Sequence, residues 1–104
     1  MPIELDSDKM EDIQNSDEYW VVDFWAEWSG PCKKLAPVFE EVSKEMEDVK
    51  FGKVDMEEHD DLGGQFGVRA LPTLLILKEG EEVARTSGAM PKKKLKNWIH
   101  ENKD

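Results

Sequence analysis

Tyr19-Trp20-Val21-Val22-Asp23-Phe24-Trp25 is β-branched or aromatic at every position except Asp23. A run of this kind, without polar alternation, reads as a strand apolar on both faces, which belongs in the middle of a sheet covered by helices on either side. Downstream, from Pro31 to about Asp48, Leu35, Val38, Phe39, Val42 and Met46 recur at three- and four-residue spacing. That spacing predicts a helix with one apolar face, and Pro37 inside it predicts a kink, because proline removes a donor and clashes one turn back. Upstream, Ile3–Leu5 reads as a short edge strand, and Asp6 or Ser7 as the cap of a helix with Met10 and Ile13 inward. Further on come a strand over Val49–Asp55, a short helix near Asp60–Phe66 and a strand over Thr73–Lys78. Glu79 and Gly80 supply a hairpin turn into Glu82–Ser87. Pro91 opens a last helix through Asn102, with Leu95, Trp98 and Ile99 inward. The order β-α-β-α-β-α-β-β-α predicts an α/β fold in three layers, a mostly parallel sheet with an antiparallel hairpin at its C-terminal edge.

Length and charge narrow the function classes. The 104 residues are one domain's worth, expected to span 1–104. Fourteen basic residues stand against 24 acidic ones, a net charge of -10, and such a surface repels phosphate backbones. Nucleic acid is therefore excluded as a primary partner. One cysteine cannot close an internal disulfide, and with two separated histidines it cannot build a closed zinc site, so no metal is expected. Scarce cysteine fits a reducing compartment. No apolar run approaches the ~20 residues of a membrane span, and the acidic start is unlike a signal peptide. A cytoplasmic protein without a membrane partner is expected.

The chemistry should lie at Trp28-Ser29-Gly30-Pro31-Cys32-Lys33, between the central strand and the long helix. Strand C-termini are where ligands collect in α/β sheets, and a helix N-terminus stabilises an anion such as a thiolate. The residues also have plainer readings. Ser29 is a good N-cap whose oxygen can accept the N–H of Cys32. A lone Cys32 is most often an inert core residue, Lys53 a snorkelling lysine, and Pro72 the start of a strand. Lys92, Lys93, Lys94 and Lys96 read as a solvated helix face, and Glu57, Glu58, Asp60 and Asp61 lack calcium-loop spacing. Ser29 has no nucleophile-elbow pattern, which argues against a serine hydrolase.

The segment Val22-Asp23-Phe24-Trp25-Ala26-Glu27-Trp28-x-Gly30-Pro31-Cys32-Lys33 resembles the active-site segment of thioredoxins, with one change. Phe66-Gly67-Val68-Arg69-x-Leu71-Pro72-Thr73-Leu74 is similar to that family's second signature, which holds a cis-proline. Lys53 and Gly88 also fall where the family has a lysine and a glycine. The departure is Ser29, at the place of the nucleophilic cysteine. The resemblance implies a protein disulfide reductase working by dithiol–disulfide exchange, without cofactor, as a monomer. It implies Cys32 as the resolving thiol, Asp23 as its proton acceptor, Lys53 as modulator of that carboxylate and Pro72 in cis facing the site. Trp28, Gly30, Pro31, Leu71, Gly88 and Ala89 would contact substrate. The implied partners are thioredoxin reductase and disulfide-containing proteins. Ser29 breaks the cycle at its first step, since an unactivated hydroxyl is a poor nucleophile and cannot form a sulfur–sulfur bond. The chain thus reads as a Cys-to-Ser variant, inactive as written. Two alternatives are a natural redox-silent module that binds a protein partner and a monothiol enzyme using Cys32.

Overall fold

The computed structural model describes residues 1–103; Asp104, the last residue of the expected domain, lies outside the described residues. Nine elements follow in the expected order: β1 (Ile3–Glu4), α1 (Ser7–Gln14), β2 (Tyr19–Trp25), α2 (Gly30–Glu45), β3 (Lys50–Asp55), α3 (Asp60–Gln65), β4 (Thr73–Lys78), β5 (Glu81–Ser87) and α4 (Lys92–Asn102). The strands form one mixed sheet in the order β1-β3-β2-β4-β5. β1, β3 and β2 run parallel, while β4 runs antiparallel to β2 and β5 antiparallel to β4. The antiparallel part therefore includes the β2–β4 pair as well as the terminal hairpin.

Central β2 has the burial its sequence demands. Val21, Val22 and Phe24 are fully buried, and alternation sends them to opposite faces. Val21 joins Phe51, Leu74 and Ile76 under α2 and α4, which contribute Leu35, Phe39, Val42, Leu95 and Ile99. Val22 and Phe24 join Val54, Leu75 and Leu77 under α1 and α3, which contribute Met10, Ile13 and Leu62. The result is helices, sheet and helices in three layers. Each fully buried large side chain contributes roughly 1.5–3 kcal/mol. Trp98 is only partly buried against the first of these cores.

Local chemistry sets the boundaries. The Asp6 carboxylate accepts the Lys9 N–H at 2.9 Å, which fixes Asp6 as the cap of α1. α2 continues past Pro37 and stops at Glu45, short of the expected Asp48. Met46 takes extended backbone there (φ -114°, ψ 96°), which lets its side chain drop into the core. Pro91 is the N-cap of α4 rather than a first-turn residue, since its ψ of 158° is extended. The β4–β5 turn places both Glu79 (φ 55°) and Gly80 (φ 80°) in the left-handed region, the backbone of a tight hairpin.

Candidate functional site

β2 ends at Trp25, and a short loop leads to the N-terminus of α2. Ser29 caps that helix from a buried position, 6% exposed, and its Oγ accepts the Cys32 N–H at 3.3 Å. The Ser29 N–H donates to the Ala26 carbonyl at 3.2 Å, and the Lys33 N–H donates to the Ser29 carbonyl at 3.2 Å. The loop is thus tied to the helix on both sides of position 29. Gly30 and Pro31 form the exposed start of α2, and Trp28 stands out at 71% exposure. Cys32 is only 3% exposed and faces inward.

Beneath Cys32 is a cavity of about 90 Å³, lined by Asp23, Trp25, Cys32, Lys33, Lys53 and neighbouring loop and helix residues. Asp23 sits opposite Lys53 in the β2–β3 register and opposite Leu74 in the β2–β4 register. It is 1% exposed, and its Oδ1 is buried with no hydrogen-bond partner. Burial pushes its carboxyl up from 3.8 to about 7; Lys53 opposes this and Glu4 adds to it. The Lys53 ammonium lies over the Trp25 ring, 4.7 Å from its centroid. A buried acid that titrates near neutral pH beside a thiol can take or give a proton under working conditions.

A second group of predicted residues meets across the edge of β4. The Leu71–Pro72 bond is cis, as the signature implies, and Pro72 is buried. The Pro72 carbonyl accepts the Gly88 N–H at 2.9 Å, and Gly88 holds φ +91°, a conformation glycine adopts without strain. Thr73 Oγ1 donates to the Ala70 carbonyl at 2.5 Å, which ties the turn before Pro72 to the strand after it. Leu71 is half-buried and Ala89 exposed. Phe24 pairs with Thr73, so this segment lies at the sheet end where β2 hands over to the Ser29 loop.

Trp25, Glu27 and Lys33 also line the cavity, beyond the site residues expected from the sequence. Strand alternation was the available signal for Trp25, since positions 23 and 25 share a face. Arg85 is a further residue outside those expectations: its guanidinium donates to the Phe66 and Gly67 carbonyls across the chain and so braces the segment leading to Pro72. A larger groove, about 480 Å³, lies along α4 between Lys92, Lys93, Lys96, Asn97 and His100. Its lysines are the helix face read above as solvated, and it holds none of the expected catalytic or substrate-binding residues. No group of three or more His, Cys, Asp or Glu able to hold a metal ion occurs among the described residues. No described helix is long and apolar enough to cross a membrane.

Comparison with known proteins agrees with this fold. The family model described as Thioredoxin matches residues 3–101. A thioredoxin of Bacillus subtilis is 40% identical over 103 residues, covering 98% of this chain and 99% of the relative. A thioredoxin of Haemophilus influenzae is 43% identical, covering 93% and 92%. Among solved structures, a thioredoxin from Nicotiana alata matches with a TM-score of 0.88 at 37% identity, covering 100% of this chain and 96% of that one. The thioredoxin of Malassezia sympodialis matches with a TM-score of 0.89 at 33% identity, covering 98% and 90%.

Proposed function

This chain belongs to the thioredoxin family, and we propose that its site is that of a protein disulfide reductase whose nucleophilic cysteine is replaced by Ser29. The observation that carries the reading is Asp23. A carboxylate buried under a thiol, with its Oδ1 lacking a hydrogen-bond partner, costs stability, yet it is present with its cavity and its lysine. Proton transfer to and from Cys32 is the use that such a group has.

With cysteine at position 29, the cycle runs in two exchanges. The thiolate at 29 attacks one sulfur of a substrate disulfide, forms a mixed disulfide and releases the other substrate sulfur as a thiol. Asp23 takes the proton from Cys32, whose thiolate attacks the sulfur at 29. The second substrate thiol leaves, and a 29–32 disulfide remains. Two thiols of the protein are oxidised as one substrate disulfide is reduced. Thioredoxin reductase returns the electrons, and no bound cofactor takes part. Lys53 holds down the proton affinity that burial gives Asp23. Leu71 offers its backbone to extended substrate beside Pro72. Exposed Trp28, with Gly30, Pro31, Gly88 and Ala89, forms the surface on which substrates dock. The protein acts as a cytoplasmic monomer of one domain, residues 1–104. With Ser29 the first attack does not occur, and the chain is inactive as written.

The cap made by Ser29 favours a second reading, a natural redox-silent module that binds a protein partner, because the serine hydroxyl has structural work at this position. The source codon at position 29 separates the two origins. The function itself is tested by titrating Ser29→Cys against a dithiol/disulfide buffer. Reversible loss of two thiols per chain, without dimerisation, is expected. Oxidation only to intermolecular dimers would overturn the proposal.

A further inference from the structure

The Lys53 ammonium has two possible anchors at the cavity under Cys32. Asp23 and Trp25 project from β2 to one face of the sheet, and Lys53 projects to the same face from β3, directly across from Asp23. The ammonium is found on the indole ring, 4.7 Å from its centroid. Asp23 Oδ1 meanwhile receives no hydrogen bond. The Trp25 Nε1 is also buried without a partner, so what the indole offers at this site is its face.

The choice of anchor has chemical consequences. An ammonium in contact with a buried carboxylate favours the ionised form strongly, and a carboxylate locked in that form cannot return a proton near neutral pH. An ammonium held a few ångströms off offsets part of the desolvation and leaves both protonation states accessible. We propose that Trp25 is a positioning residue: its ring holds the Lys53 ammonium away from the Asp23 carboxylate and so keeps Asp23 able to take and release a proton. This rests on the reading of Asp23 as the proton acceptor for Cys32. The other groups facing Asp23 are Glu4 on β1, Glu27 in the loop before α2, and Cys32 and Lys33 on α2; β4 presents uncharged Leu74.

The test is a carbon-detected NMR titration of the Asp23 carboxyl in the chain as it stands and in Trp25→Leu, Trp25→Phe, Lys53→Gln and the Trp25→Leu/Lys53→Gln double variant. Trp25→Leu should lower the Asp23 midpoint by about one pH unit, as the freed ammonium closes on the carboxylate. Trp25→Phe keeps a smaller ring and should fall between the two. Lys53→Gln should raise the midpoint, and adding Trp25→Leu to it should leave the midpoint nearly in place. Equal falls with and without Lys53 would mean that the shorter side chain merely admits water, and would overturn the proposal. So would a rise, or no change, in Trp25→Leu. A measurement on the unaltered chain guards against loosened variants: the Lys53 ε-methylene protons should be displaced upfield by the indole ring current, and undisplaced protons would overturn the proposal as well. None of these readouts requires disulfide turnover, so a failure of the reductase reading and a failure of the Trp25 assignment remain distinguishable.

Discussion

Replacing Asp23 by Asn turns the burial of the site into a measurable pH dependence. Asp23 is 1% exposed, and loss of water pushes its carboxyl from 3.8 to about 7, against the pull of Lys53. At ~1.4 kcal/mol per pH unit, that rise corresponds to about 4 kcal/mol. The native state binds this proton more tightly than the unfolded chain, so stability falls as pH climbs from the unfolded value through the folded one. Below 3.8 both states hold the proton and there is no penalty; above about 7 both are ionised and the penalty is constant. Asparagine cannot ionise. The stability of Asp23→Asn minus that of the parent should therefore grow by about 4 kcal/mol between pH ~3.5 and ~8.5. Unmet amide hydrogen bonds cost about 1–3 kcal/mol, but that offset does not vary with pH. Glu45, Asp48 and Glu82, held below the usual carboxylate range by hydrogen-bonded lysine or arginine partners, titrate in both proteins and cancel. Urea denaturation followed by tryptophan fluorescence across this pH series measures the difference. A difference that stays flat with pH would refute the reasoning.

Other substitutions test the frame around the site. Ser29→Ala removes the acceptor for the Cys32 N–H and should cost about 1 kcal/mol, read as a lower urea midpoint with unchanged slope. Gly80→Ala should lower the melting temperature, because a Cβ there would lie 2.9 Å from the Gln14 backbone at φ +80°; left-handed backbone costs an L-residue roughly 1–2 kcal/mol, and an unchanged melting temperature would refute the close approach of α1 to the hairpin. Leu35→Ala empties a fully buried position of α2 and should cost about 2–5 kcal/mol by the same denaturation, whereas a loss well under ~1 kcal/mol would show the position to be solvated.

Much of this architecture is legible in residue patterns because burial enforces them. The unalternating run Tyr19–Trp25 identified the central strand, and the spacing of Leu35, Phe39 and Val42 identified the face of α2 that covers it. The direction of β4 was not legible. A strand reached through the short helix α3 can return beside β2 in either sense, and its run Thr73–Leu77 has no polar alternation that distinguishes the two. The end of α2 was missed because Met46 continues the helical spacing while its backbone has already turned extended. At the site, the motif located Ser29, Cys32, Asp23 and Pro72, and alternation explains why Asp23 and Lys53 share a face. Where the Lys53 ammonium rests, on Trp25 rather than on Asp23, depends on side-chain conformations that no spacing encodes. Arg85 bonds carbonyls 18 and 19 residues away, beyond the reach of local pattern.

The proposal that this site lacks only the sulfur at position 29 is tested most directly by the reduction of a protein disulfide with a dithiol as electron donor, measured for the chain as it stands and for Ser29→Cys under identical conditions. The expected result is no turnover above the dithiol background with Ser29, and sustained turnover with Ser29→Cys. Robust turnover with Ser29, or background rates from a folded Ser29→Cys, would contradict it.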